Sequence, residues 1–203
     1  MIILLSLVTA VFVSGCASVM GSRTALSHIP TIEETYTSRH EAGHWEVRNF
    51  FGLSSEKVTI VPRSDFLGAI WVAPPRMATV ADVQKEICYL AGGAAGEQVS
   101  FGKVAEWGTE KDRKNATELV KRAQTVWPDF KFSFEDGQKC AERILGQNGP
   151  TFERLARGLL KAKTLSGEQL LAVVAGKKPG DRDFPMPSPS PFDEVVGVRS
   201  FRM

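Results

Sequence analysis

The reading of this chain turns on His40-Glu41-Ala42-Gly43-His44. Residues four apart lie on one face of a helix, so His40 and His44 can each aim an imidazole nitrogen at a common ion, with Glu41 beside them. The spacing predicts a metal helix, placed over residues 32 to 51. Zinc suits such a layout: protein ligands fill part of a tetrahedron, an open position admits water, and the ion brings that water's pKa to about 7. Glu41 is then the candidate general base, taking the proton from the water and passing it to a leaving amine. The same residues can also form a solvated helix face on which two His and a Glu coincide.

The chain contains three His in all. His28 lies before the metal helix in Ser27-His28-Ile29-Pro30, where the proline breaks regular structure, and it reads as a loop residue outside the ligand set. A zinc hydrolase needs a third protein ligand, for which the candidates are carboxylates further along the chain.

The segments that follow arrive in a characteristic order. Lys57-Val58-Thr59-Ile60-Val61-Pro62-Arg63 precedes Leu67-Gly68, then Leu90-Ala91-Gly92-Gly93-Ala94-Ala95-Gly96-Glu97, then Gly108-Thr109-Glu110-Lys111-Asp112-Arg113-Lys114-Asn115-Ala116-Thr117. In this order they resemble the peptidase domain of the FtsH-type, ATP-dependent zinc proteases: H-E-A-G-H, K-V-[ST]-I-x-P-R, L-G, G-G-R-x-A-E-E, then an Asp shortly before A-T. The resemblance runs over roughly residues 32 to 175, since Leu159 to Glu168 looks like the family's closing helix pair.

The resemblance implies an α+β, mostly helical zincin-like domain with a small β-sheet, zinc as cofactor, and polypeptide as substrate. It makes Asp112 the third ligand beside His40 and His44. Thr109 to Asp112 also fits a helix N-terminal capping box with Asp in place of Glu, so Asp112 can be a cap as well as a ligand. Glu97 matches the first Glu of the A-E-E element and is either a hydrogen-bond partner of a ligand imidazole or an exposed helix acid. Gly92, Gly93 and Gly96 lie in an apolar helical pattern that follows no strand, which points to close helix packing and away from a nucleotide loop.

The chain departs from the family pattern at Trp45, where a small residue is usual, and at Ala94, where Arg is usual; substrate preference and oligomer contacts are open on that account. No G-x-x-x-x-G-K-[ST] occurs in the 203 residues, so the expectation is a peptidase without the AAA+ ATPase module.

Composition is ordinary for a globular domain, 43% hydrophobic and 24% charged, and the net charge of +2 gives no argument for nucleic acid. Met1 to Val13 is apolar, and Val13-Ser14-Gly15-Cys16 resembles a lipobox although no basic residue precedes the run. Residues 1–20 are expected to be a signal, lipoprotein or membrane-anchor segment, which makes the protein membrane-associated, an exported lipoprotein or anchored by its N-terminus. A buried helix is the alternative. Cys88 and Cys140 sit in helical patterns and read as buried free thiols.

Short strands are expected at 57 to 62 and 67 to 73, and one long helix at 79 to 101. Further helices are expected at about 110 to 126, 134 to 146, 151 to 163 and 167 to 175, the last capped by Ser166 with Gln169. Gly68, Ala69, Ile70 and Trp71 form a candidate substrate-binding strand, since an edge strand beside zinc can pair with extended peptide; a plain core strand is the alternative. Residues 21–176 make the peptidase domain, and the proline-rich 177–203 a tail. The function these features imply is zinc-dependent cleavage of unfolded or loosely structured polypeptide without ATP. The rivals are a noncatalytic, membrane-tethered zinc-binding or adaptor protein, and the peptidase subunit of a separate ATPase partner or a homo-oligomer.

Overall fold

The computed structural model describes residues 29–64, 66–73 and 77–184. In chain order these form α1 (Ile32–Phe50), β1 (Lys57–Thr59), β2 (Ala69–Trp71), α2 (Val80–Leu90), α3 (Gly92–Phe101), α4 (Glu106–Val126), α5 (Phe134–Gln147), α6 (Gly149–Ala162), β3 (Thr164–Ser166) and α7 (Gly167–Val174). The architecture is α+β and mostly helical with a small antiparallel sheet, as expected.

Helix α1 is the axis of the domain. Thr31 starts it through a capping box: its hydroxyl accepts the Glu34 N–H at 3.0 Å and the Glu34 carboxylate accepts the Thr31 N–H at 3.1 Å. Gly52, at φ 70°, ends it by letting the Leu53 N–H reach back to the Arg48 carbonyl at 3.1 Å. From Thr37 to Arg48 nearly every residue is buried, because α3, α5 and α6 all pack on this helix. Lys163 bonds Glu34 at 2.7 Å and Arg39 pairs with Glu153, fastening α6 to α1 at two points.

The closest approach is between α1 and α3. A Cβ on Gly43 would stand 2.2 Å from the Gly92 carbonyl oxygen, and one on Gly96 would stand 2.3 Å from that of Arg39. The helices therefore touch backbone to backbone, the packing role expected of Gly92 and Gly96. The long helix expected at 79 to 101 is broken at Ala91 (φ −87°, ψ −2°) into α2 and α3. Two successive glycines, each about 1 kcal/mol poorer than Ala in a helix interior, make this the weak point, and contact with α1 fixes the new direction.

The sheet has the order β2-β1-β3, with Val58 opposite both Ile70 and Leu165. The first two strands are shorter than expected, and an Arg63–Phe66 bridge closes the hairpin between them. β3 falls where the sequence suggested only a helix end and a cap. Trp45 and Ala94, the two departures from the family pattern, are both buried in the hydrophobic core.

Past α7 the chain turns back, with Lys178 N–H bonded to Asp181 at 2.6 Å and Phe184 packed on the core; the expected tail otherwise lies outside the described residues. So do the N-terminal segment with Cys16, and His28. Among the described residues no helix is long and apolar enough to cross a membrane. Cys88 and Cys140 are free thiols, the first buried and the second half-buried.

Candidate metal centre

One turn of α1 separates His40 from His44, and their Nε2 atoms converge to 3.0 Å. The Asp112 Oδ2 lies 3.2 Å from the first and 3.1 Å from the second. A tetrahedral ion with ligand distances of about 2.0–2.1 Å needs its donor atoms about 3.3 Å apart, so this triangle fits a small divalent metal. The donor set, two imidazole nitrogens and one carboxylate oxygen, is of the kind zinc takes.

The far side of each imidazole is also held. His40 Nδ1 lies 2.8 Å from Glu97 Oε1, and His44 Nδ1 lies 2.7 Å from the Tyr89 carbonyl oxygen. With Nε2 turned to the metal position, each Nδ1 carries the proton and donates it, which fixes tautomer and ring orientation. Tyr89 is next to last in α2, so the helix end at Ala91 sets the position of the carbonyl that meets His44. Glu97 is fully buried, on α3 behind the glycine crossing, and is no exposed helix acid. Its second oxygen accepts the Ala105 N–H at 2.6 Å.

That last bond explains where α4 begins. Ala105 is its N-cap residue, and the carboxylate there comes from α3. The helix thus starts at Glu106, four residues before the position expected from sequence, and Asp112 lies in its second turn. The Thr109–Asp112 capping box does not form: Thr109 is inside the helix, its hydroxyl bonded to the Ala105 carbonyl at 3.4 Å. Asp112 is left to face the two histidines.

The cluster draws positive charge to its centre. Burial alone would lower the His40 pKa, yet hydrogen bonds to Asp112 and Glu97 raise it to about 10. Burial would raise Asp112, but the charge of His44 and the hydrogen bonds of both histidines hold it well below the usual carboxylate range. Glu41 is nearly buried, and burial keeps its carboxyl above the ordinary range against the pull of His40 and His44.

Two glycines leave room for these side chains. A Cβ on Gly93 would lie 2.3 Å from the His40 ring, and one on Gly68 would lie 2.5 Å from Glu41 Oε1. Gly68 leads into β2, so the entry of the candidate substrate strand lies against the candidate base. β2 pairs with β1 on one side, and its other edge has no strand partner among the described residues.

Of the residues read from sequence, His40, His44 and Asp112 thus meet at one point, with Glu97 behind the His40 ring and Glu41 beside Gly68. Ala69, Ile70 and Trp71 form the adjoining strand. Sequence reasoning missed the Tyr89 carbonyl.

Residues 28–133 match Peptidase family M41. Among curated proteins the chain is 28% identical to the ATP-dependent zinc metalloprotease FtsH of Neorickettsia risticii over 182 residues, covering 71% of this chain and 29% of that protein. It is 32% identical to the protein of the same name from Rubrobacter xylanophilus over 186 residues, covering 70% and 28%. For that of Thermus thermophilus the identity is 29% over 182 residues, covering 69% and 29%. The chain therefore spans less than a third of the length of these relatives. With over half of its residues inside the family match, and the His40–His44–Asp112 triangle formed by residues within it, the chain belongs to Peptidase family M41.

Proposed function

We propose that this chain is a zinc-dependent endopeptidase acting on unfolded or loosely structured polypeptide, with His40, His44 and Asp112 holding the metal and Glu41 as general base. The observation that carries the reading is the placement of Glu41. It follows a metal-binding histidine directly and lies against Gly68 at the entry of an edge strand, so a peptide pairing with β2 brings its carbonyl to the base. A site kept only for folding stability has no use for that arrangement.

Zinc, when bound, supplies a Lewis acid that acidifies water and polarises the scissile carbonyl. Glu41 takes the water's proton as its oxygen adds to the carbonyl carbon, and delivers the proton to the amide nitrogen as the C–N bond breaks. His40 and His44 are kept in the ligating tautomer by Glu97 and the Tyr89 carbonyl. β2 offers main-chain groups to the substrate, which asks for an extended backbone and little else.

The test is zinc analysis and casein cleavage by the purified chain, with and without Glu41→Gln. The variant should keep its zinc and lose hydrolysis by on the order of 10²-fold or more. Loss of zinc together with activity would make Glu41 structural.

A second reading has support in the relatives, which are named ATP-dependent and are more than three times as long as the matched segment. In it the peptidase works beside an ATPase. We propose that the 203 residues alone, which contain no phosphate-loop motif, cleave casein at a rate indifferent to ATP. Stimulation by ATP only after cell extract is added would favour the second reading. We also propose tethering to a membrane through residues 1–20, on the strength of the apolar run and Val13 to Cys16; mass spectrometry of the mature N-terminus tests it.

A further inference from the structure

Arg48 lies one helical turn past His44 and is 2% exposed. Its Nε donates to the Ser54 carbonyl at 2.9 Å, its Nη2 donates to the Ala73 carbonyl at 3.1 Å, and its guanidinium carbon lies 5.3 Å from the centre of the Tyr89 ring. One side chain on the metal helix thereby touches the turn that leaves α1, the exit of β2 and the end of α2. The nearby acid is Glu86, also 2% exposed, and the charge of Arg48 acts on it. Among the described residues neither carboxylate oxygen of Glu86 has a hydrogen-bond partner, nor has Arg48 Nη1. An arginine present only to neutralise an acid turns its fork onto the carboxylate, since bidentate pairing is the strong geometry. Here the bonded donors go to main-chain carbonyls instead.

Ala73 follows the last residue of β2 by two positions. The strand is thus fixed to α1 at both ends: at its entry Gly68 lies on Glu41, and at its exit Ala73 is held by Arg48, two helical turns further along the same helix. Between these points β2 is only three residues long and has one strand neighbour among the described residues. A strand that short has little else to keep it extended.

We infer that Arg48 is a positioning residue for the peptide substrate: it clamps the exit of β2 to the metal helix and so keeps the strand's outer edge ordered and ready to pair. The inference rests on the proposed reading of β2 as the substrate-pairing strand. A strand released at its exit must be ordered by the incoming peptide. Apparent affinity then falls by the fraction of molecules already ordered, while the bound complex reacts as before.

The experiment measures kcat and KM for an octapeptide long enough to run along β2, together with zinc content. It uses the double variant Arg48→Met with Glu86→Gln, which removes both buried charges so that neither is stranded. KM should rise about tenfold, as expected for losing a hydrogen bond from a charged group, with kcat within about threefold and zinc unchanged. Arg48→Lys keeps the charge but cannot span both carbonyls, and should give an intermediate KM. If the double variant does not fold, Arg48→Lys decides alone, by a raised KM at constant kcat. An unchanged KM, a fall in kcat alone, or loss of zinc would overturn the inference, the last by moving the role of Arg48 to Tyr89 and His44. Failure of the wild-type chain to cleave the octapeptide while holding zinc would instead refute the peptidase reading, and this inference with it.

Discussion

Glu97→Gln changes a single atom of a fully buried side chain, and the structure fixes what that atom does. The carboxylate faces two donors, His40 Nδ1–H at 2.8 Å and Ala105 N–H at 2.6 Å, one on each oxygen. A glutamine offers one acceptor and one NH₂ group, so whichever way it turns, a donor meets a donor. The loss is one hydrogen bond to a charged group at a fully buried side chain, about 1.5–3 kcal/mol. If the amide oxygen stays on Ala105, the loss falls on His40 and thus on metal binding. Removing the partner of a ligating histidine weakens a metal site about 10–100-fold, or about 1.4–2.8 kcal/mol, so the two routes agree. Competition against a chromophoric zinc chelator near neutral pH reads this directly. Circular dichroism of the zinc-loaded variant should match the wild type. Zinc affinity equal to the wild type would refute the reasoning, since it would mean that the His40–Glu97 contact does not orient the ligand. Intact affinity with loss of helix would place the role of Glu97 at the start of α4 instead.

Asp112→Ala should abolish tight zinc binding by metal analysis while leaving helix content like that of zinc-free wild type, because Asp112 lies inside α4 and caps nothing. Gly43→Ala places a Cβ 2.2 Å from the Gly92 carbonyl oxygen, a backbone atom that cannot swing aside, and should destabilise the fold by about 1–3 kcal/mol in chemical denaturation. Burial pushes the Glu86 carboxyl up to about 7 from 4.5, against the pull of Arg48 and His44. Between those values the unfolded chain gives up this proton and the folded chain keeps it, so stability falls as pH rises through the window and stays lower above it. The difference in stability between Glu86→Gln and wild type should therefore shift in favour of the variant by up to about 3 kcal/mol between pH 4.5 and pH 7, on top of a pH-independent cost of leaving Arg48 without its acid. Thermal melts in chelator, which keep zinc release out of the comparison, test the direction.

What the sequence displayed and what it hid divide along contact range. The metal helix, the helices over 134–147 and 149–162, and the start at Ser166 were legible because periodicity and capping are local. β3 was not: three residues carry no usable pattern, and its partner Thr59 lies more than a hundred residues away from Thr164 in the chain. The start of α4 was misread for the same reason, since the group that receives the Ala105 N–H is Glu97 on another helix, while Thr109 and Asp112 mimic a local cap. At the site, side-chain donors with family spacing could be named from sequence. The partner of His44 could not, because a backbone carbonyl is present at every residue and only tertiary structure selects Tyr89. Glu97 stood between the two cases, with a legible identity and an illegible direction.

The glycine crossing of α1 and α3 has a consequence for how this site tolerates change. Helices that meet through side chains can slide by a rotamer, and the distance between groups they carry drifts with every repacking of the core. Here Gly43 meets Gly92, and Gly96 meets the carbonyl of Arg39, so at the crossing itself the metal helix and the helix bearing Glu97 are spaced by peptide groups. Peptide groups have no rotamers to exchange. Substitutions elsewhere in the apolar interior can then lower the melting temperature without altering the span from His40 to Glu97. Drift in the sequence of the core and accuracy at the metal are in this way mechanically insulated from each other.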